Sequence, residues 1–251
     1  MDTQVLALSL IGCVSTSIGA FFVVINKAPS VKMLGLLQGF AAGLMLSITF
    51  FNLVPNAINS IGFLKGNVWV RFSICVVFFA AVANFIPEPD IKRQVLFSGT
   101  ITAIGMTLHN IPEGMAVFLG SIKGFRVGVN LALAIALHNI PEGIAVALPV
   151  YYATESKWQA FKFASLSGLA EPVGVIIVAY VFPSSLSPEI LEGLLASVGG
   201  VMAFLALHEM LPQAFGYAGH NQAVKAVFFG MAFMSSSLYF LEICLPEEIN
   251  F

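Results

Sequence analysis

The sequence predicts an all-α integral membrane protein with eight transmembrane helices, and three observations carry the prediction. Of 251 residues, 58% are hydrophobic and only 10% are charged, whereas soluble domains run near about 25% charged. Eight apolar stretches reach the ~20 residues that a helix needs to cross a bilayer. The connections between them are short and rich in turn formers. None has room for a soluble domain, so residues 1–251 read as a single transmembrane domain.

Span 1 covers about 4–26. It follows Met1-Asp2-Thr3-Gln4, which has no basic n-region, and its apolar run is too long for a signal-peptide core. A turn from Asn26 to Ser30 leads to span 2, about 33–61, and span 3 follows at about 67–86. Pro87 to Asp90 closes span 3, and spans 4 and 5, about 95–120 and 126–152, are joined across Lys123-Gly124. Span 6, about 158–182, ends at the turn Pro183 to Pro188. Spans 7 and 8, about 189–213 and 223–243, flank a turn from Gly216 to Asn221. Glu242, Glu247 and Glu248 read as a solvated terminus, and His220 as a solvated loop residue. Cys13, Cys75 and Cys244 are far apart with no C-x-x-C pair, so they read as thiols in lipid-buried helices.

A net charge of −2 provides no basic field for nucleic acid. With the N-terminus on the non-cytosolic side, the cytosolic connections hold Lys27, Lys32, Lys92, Arg93, Lys157, Lys162 and Lys225. The opposite side holds Lys65, Arg71, Lys123 and Arg126. That bias places both termini outside the cytosol.

The chemistry is concentrated in a repeat. Leu-His-Asn-Ile-Pro-Glu-Gly occurs at 108–114 and again at 137–143, with Ala-Val at 116–117 and 145–146. At 1.5 Å per residue both copies fall near the bilayer midplane, on consecutive and therefore antiparallel spans. The copies are related as if by a two-fold axis in the membrane plane. Within each copy His109 and Glu113, or His138 and Glu142, stand at i, i+4 and share a helix face, with Asn110 and Asn139 beside them. Pro112 and Pro141 cannot donate to the carbonyls of Leu108 and Leu137, which are left for the same face.

An ionised Glu at the centre of a membrane helix costs on the order of 2.5–3.5 kcal/mol. A divalent cation between two of them offsets that cost and employs the imidazoles as well. Imidazole with carboxylate suits zinc, iron and similar ions, whereas calcium or magnesium would favour oxygen ligands alone. The plainer alternative is a Pro-kinked helix pair whose polar seam only holds the helices together. It accounts for one copy more easily than for two opposed copies at one depth.

A fainter repeat relates span 2 to span 7. Gly43, Met45, Pro55 and Ala57 match Gly200, Met202, Pro212 and Ala214 at a constant offset of 157. The same offset sets Phe51 against His208 and Asn52 against Glu209. It suggests an inverted repeat of spans 1–3 and 6–8 around the 4–5 pair. Asn52, His208 and Glu209 are then candidates for the path to and from the midplane. Span 6 adds Glu171-Pro172 near its centre, one turn after Ser167, as a third ligand or a proton acceptor. A protonated Glu171 making an interhelical hydrogen bond is the plainer alternative.

The paired H-N-x-P-E-G helices, the Ala-Gly-x-Met…Pro-x-Ala second span and the His-Glu-Met-Leu-Pro seventh span resemble the ZIP family of zinc/iron-type transporters, over essentially the whole chain. Within it they are similar to the GufA/ZupT branch, and Ser-Gly-Leu-Ala-Glu-Pro at 167–172 and Leu-Pro-Glu at 245–247 add a likeness to a plant member of the endoplasmic reticulum. The resemblance implies a 3+2+3 bundle that moves divalent metal, zinc first, into the cytosol; iron, manganese and cadmium remain open. It implies a binuclear site of His109, Asn110, Glu113, His138, Asn139, Glu142 and Glu171, with Asn52 as a further candidate and His208 and Glu209 on the exit path. No cofactor is implied beyond the transported metal. The expected partners are metal ions and the lipid bilayer, a homodimer being allowed. The endoplasmic-reticulum membrane is favoured, with the plasma membrane second. The connection from Pro87 to Gln94 departs from members with a long His-rich loop there, since it holds no His or Cys.

Two other function classes compete. One is an intramembrane metal-dependent hydrolase: His208-Glu209 opens an H-E-x-x-H motif, but Pro212 stands where the second His is required. The other is a metal-binding membrane protein that transports nothing.

Overall fold

The computed structural model describes residues 3–25, 30–61, 94–181 and 186–244, and every regular element among them is helical. Without water to satisfy backbone groups, a helix supplies all its hydrogen bonds within one segment. Ten α-helices are described: α1 (Thr3–Ile25), α2 (Val31–Ile48), α3 (Val54–Ile61), α4 (Gln94–Lys123), α5 (Phe125–Thr154), α6 (Lys157–Gly168), α7 (Ala170–Val181), α8 (Pro188–Leu205), α9 (Leu211–Ala218) and α10 (His220–Cys244). Among the described residues, six segments are long and apolar enough to cross a membrane: Gln4–Ile25, Val31–Asn56, Phe125–Thr154, Lys157–Val181, Pro188–Ala218 and His220–Leu241. They coincide with expected spans 1, 2, 5, 6, 7 and 8. Span 4 corresponds to the 30-residue α4. Span 3, the 87–93 connection and Cys75 lie outside the described residues.

Two of these segments share a feature that hydropathy did not reveal. α2 and α3 are one rod interrupted by a π-turn at Thr49–Leu53, and α8 and α9 are one rod interrupted at Ala206–Met210. Every boundary repeats at the offset of 157, including the caps: Ser30 accepts from the Met33 N–H and Ser187 from the Ile190 N–H, both at 3.3 Å. The cause is the proline just beyond each turn. Pro55 and Pro212 cannot donate to the carbonyls of Phe51 and His208, and their rings would collide with those carbonyls in a regular helix. The wider turn relieves the collision, with Val54 N–H reaching Thr49 O and Leu211 N–H reaching Ala206 O.

Proline acts differently in span 6. Pro172 leaves the Gly168 carbonyl without its helical donor, and the span breaks at Leu169 into α6 and α7. Glu171 therefore sits in the first turn of a new helix.

α4 and α5 form an antiparallel hairpin joined by Gly124 alone. Cβ atoms built on Gly128 and Gly120 would meet Ser121 and Leu131, and deeper in the pair His138 reaches Glu113. Two close crossings flank the hairpin. A Cβ on Gly19 of α1 would strike the Ile140 carbonyl, and one on Gly143 the Thr16 carbonyl. On the other side, Gly174 of α7 faces the Ile111 carbonyl and Gly114 faces the Glu171 carbonyl. Ile111 and Ile140, like Gly114 and Gly143, are equivalent positions of the twin motif, so α1 stands to α5 as α7 stands to α4.

The most extensive packing joins α1, α4, α5, α6 and α7 in one group, and α2, α9 and α10 in a second, with α3 and α8 against each other beside it. Leu44, Met45, Ile48, Leu119, Ile135 and Met202 are fully buried in one core that spans the groups. Phe21, Phe22, Ile176, Phe228, Phe229, Tyr239 and Phe240 are exposed. So many large outward apolar side chains suit lipid rather than water.

Candidate metal centre

The twin motifs bring their carboxylates to one buried place. Glu113 on α4 and His138 and Glu142 on α5 are each at most 2% exposed, and one ligand atom from each lies within 4.8 Å of the others. At zinc-like bond lengths of about 2.0–2.2 Å, ligands of one ion lie no more than about 4.4 Å apart. A small side-chain adjustment therefore suffices for the three to share an ion.

His138 is oriented for that role. Its Nδ1 lies 3.0 Å from the Ala134 carbonyl, one turn back, and since a carbonyl only accepts, Nδ1 carries the proton. Nε2 faces the carboxylates, 2.7 Å from Glu113 Oε1. A backbone carbonyl fixing the far nitrogen is the usual support of a ligating imidazole.

Beside this triad lies a second polar cluster. Asn139 Nδ2 donates to Glu171 Oε1 at 2.5 Å, and Asn110 Nδ2 donates to the Ser167 carbonyl at 3.0 Å. Both amides are spent as donors, while Asn110 Oδ1 and Asn139 Oδ1 are buried acceptors with no hydrogen-bond partner among the described residues. Such an orphaned oxygen costs about 1–3 kcal/mol, and a cation is the partner that would satisfy it. The donor set of two carboxamide oxygens, three carboxylates and one imidazole fits a hard-to-borderline divalent ion.

Of the residues expected at the site, Asn110, Glu113, His138, Asn139, Glu142 and Glu171 are thus buried on three neighbouring elements. His109 belongs to α4, but its side chain lies outside the described residues. The pathway candidates sit elsewhere. Asn52, in the first π-turn, is half-buried and accepts from Asn56 Nδ2 at 3.3 Å. His208, in the second, is exposed and stacked on Phe204 with ring centroids 4.9 Å apart. Glu209 shares that turn, with its side chain outside the described residues. No described contact joins Asn52 or His208 to the midplane cluster. Of the remaining titratable groups, His220 is exposed and stacks on Phe215. Cys13 is buried and Cys244 exposed, both as free thiols.

Sequence reasoning missed two features. Lys123, at the end of α4, pairs with Glu192 of α8 at 2.5 Å, and that carboxylate is only 5% exposed. The signal was available: a carboxylate one turn inside an apolar span, on the side where span 4 ends in Lys. The other is Gly12 of α1, where a Cβ would overlap the Glu171 carboxylate. Nothing local in the sequence marks it.

Comparison with known proteins bears on the same residues. Residues 88–237, which contain both motif copies and Glu171, match the family described as ZIP zinc transporter. Zinc transporter ZTP29 of Arabidopsis thaliana is 66% identical over 277 aligned positions covering all of both chains. Zinc transporter ZupT of Chlorobium phaeovibrioides is 35% identical, over 94% of this chain and 97% of its own. Protein zntB of Dictyostelium discoideum is 34% identical, over 93% of this chain and 81% of its own.

Proposed function

The chain belongs to the ZIP zinc transporter family, and from that premise we propose that it carries zinc across a membrane and into the cytosol through the buried Glu113–His138–Glu142 cluster. It is a multi-pass membrane protein whose function is divalent-metal transport rather than an enzymatic reaction. The hydrolase and non-transporting alternatives are set aside on that ground.

The single observation that carries the site is two carboxylates and an imidazole, within 4.8 Å of one another and almost wholly buried in the middle of long apolar helices. Asn110, Asn139 and Glu171 complete a second half of the site, with His109 joining from α4. Two adjacent half-sites accord with a binuclear arrangement, and ligand type alone leaves iron, manganese and cadmium as competing cargo. Asn52, in the outer part of span 2, and His208 with Glu209, near the cytosolic end of span 7, lie in matching π-turns, irregularities frequent at functional positions. We assign them to the entry and exit paths.

The reading extends to architecture. The exact recurrence of rod, π-turn and rod at an offset of 157, with the matched crossings of α1 and α7, supports an inverted repeat within a single eight-span 3+2+3 bundle. Both termini are then non-cytosolic. All the described site side chains lie on the group of α1, α4, α5, α6 and α7. Alternating access is therefore a movement of that group against α2, α3, α8, α9 and α10. The family resemblance favours the endoplasmic-reticulum membrane, with the plasma membrane second, and a homodimer is the assembly to test.

The test is metal uptake into vesicles of known orientation, comparing zinc, iron and manganese. Zinc flux should fall to background in both Glu113→Ala and Glu142→Ala at matched membrane abundance. Unchanged flux in the two variants would sink the assignment of the site.

A further inference from the structure

Helix α1 packs behind the metal centre and contributes no ligand to the proposed site. One of its residues nonetheless borders a ligand. A Cβ built on Gly12 would lie 2.6 Å from Glu171 Oε1 and closer still to Oε2, well inside van der Waals contact. The Glu171 carboxylate thus rests flush against the backbone of α1 in space that only glycine leaves open.

Gly12 differs in this from the other close-packed glycines around the site. Gly19, Gly114, Gly143 and Gly174 each face a backbone carbonyl, which cannot yield without separating two helices. Gly12 faces the far end of a side chain, which can yield by moving. Substitution there displaces a carboxylate rather than a helix. The carboxylate is otherwise well held: Glu171 is fully buried, Asn139 Nδ2 donates to its Oε1, and its own carbonyl is seated against Gly114.

We propose that Gly12 is a positioning residue for transport: it holds the Glu171 carboxylate in register with Asn139 and the metal by presenting no side chain. The proposal rests on the reading of Glu171 as a metal ligand, and it assigns helix α1 a part in metal selection. With an added methyl at position 12, the carboxylate must swing away from α1, breaking the Asn139 bond or crowding the ion.

Loss of such support around a metal typically costs about 10–100-fold in affinity. Gly12→Ala should therefore raise the zinc KM by about tenfold or more, with Vmax per transporter changed far less. The decisive measurement is a double-mutant cycle in zinc uptake by purified protein in vesicles. In the Glu171→Asp background the side chain is one methylene shorter and the overlap disappears, so Gly12→Ala should there change the KM by less than about twofold. Equal penalties in the two backgrounds, or no penalty in the native background, would overturn the proposal and leave Gly12 as a packing residue. Should Gly12→Ala fail to accumulate in the membrane, Gly12→Ala/Glu171→Asp decides: recovery of folded, transporting protein locates the clash at the carboxylate, and continued loss refutes it. Full zinc transport by Glu171→Ala would instead refute the ligand role of Glu171, a separate failure.

Discussion

At the scale of single residues, the proposed site divides between groups that would face the metal and groups that hold them. His138 is bound through Nδ1 to Ala134, leaving Nε2 among the carboxylates. Asn139 holds Glu171 with its amide nitrogen, while its oxygen is buried without a hydrogen-bond partner among the described residues. Asn139→Asp replaces the donating nitrogen with a second buried carboxylate oxygen facing Glu171. It should raise the zinc KM by about 10–100-fold, measured in the vesicle uptake assay, whereas Asn139→Ser should lose less because a hydroxyl can still donate. An unaltered KM in Asn139→Asp would show that the Asn139–Glu171 bond does not support binding. That these side chains gather in one buried place was legible in the sequence, because two copies of one heptapeptide put like side chains at like depth. Gly12 was not, because its role depends on which helix lies across from Glu171, and chain spacing carries no such information.

At the scale of elements, apolar length made the spans visible but did not show how each proline would be accommodated. The same residue type yields a π-turn before Pro55 and Pro212, a break before Pro172, and uninterrupted helix around Pro112 and Pro141. The outcome depends on what neighbouring helices do with the freed carbonyl, which is a tertiary matter. The constant offset of 157 was readable, and it extends to boundaries that the residue matches alone did not define. Pro212→Ala restores the missing donor and removes the ring that favours the wide turn. The turn should then revert to α-helix, which changes the register by one residue and rotates α9 by about 100° relative to α8. Cysteine accessibility along 211–218 should shift by one position and zinc flux should fall at least several-fold. An unshifted accessibility pattern would show that the π-turn is held by packing instead. The Lys123–Glu192 pair joins two other elements, α4 and α8. Glu192→Ala leaves the lysine without its buried partner. After allowance for the 30% exposure of Lys123, the loss should be about 1–2 kcal/mol of stability, seen as a lower melting temperature in detergent.

At the scale of the whole molecule, the described helices form two groups, and the described side chains of the proposed metal site all lie on one of them. The described spans of the two expected halves do not pack as separate halves: α1 joins the hairpin and α7, while α2 joins α9 and α10. The proposed inverted repeat would account for the division, because each half would send its first span to one group and its second to the other. The sequence offset suggests such a repeat, and the sorting of spans between the groups appears only in three dimensions. If transport requires the groups to move against each other, a covalent link between them should stop it. Lys123 and Glu192 mark a contact between the groups, and Lys123 lies ten residues beyond Glu113, about 15 Å along the helix toward the membrane edge. Cysteines at these two positions, in a background free of Cys13, Cys75 and Cys244, can be bridged with a short bifunctional thiol reagent. Zinc flux should fall to background on bridging with a cleavable reagent and return on its reduction. A control pair inside the first group, at Val24 of α1 and Lys157 of α6, whose Nζ donates to the Val24 carbonyl at 2.8 Å, should tolerate the same treatment with little loss. Transport that continued across the Lys123–Glu192 bridge would mean that the ion crosses without relative movement of the groups, through local rearrangement of the ligands alone.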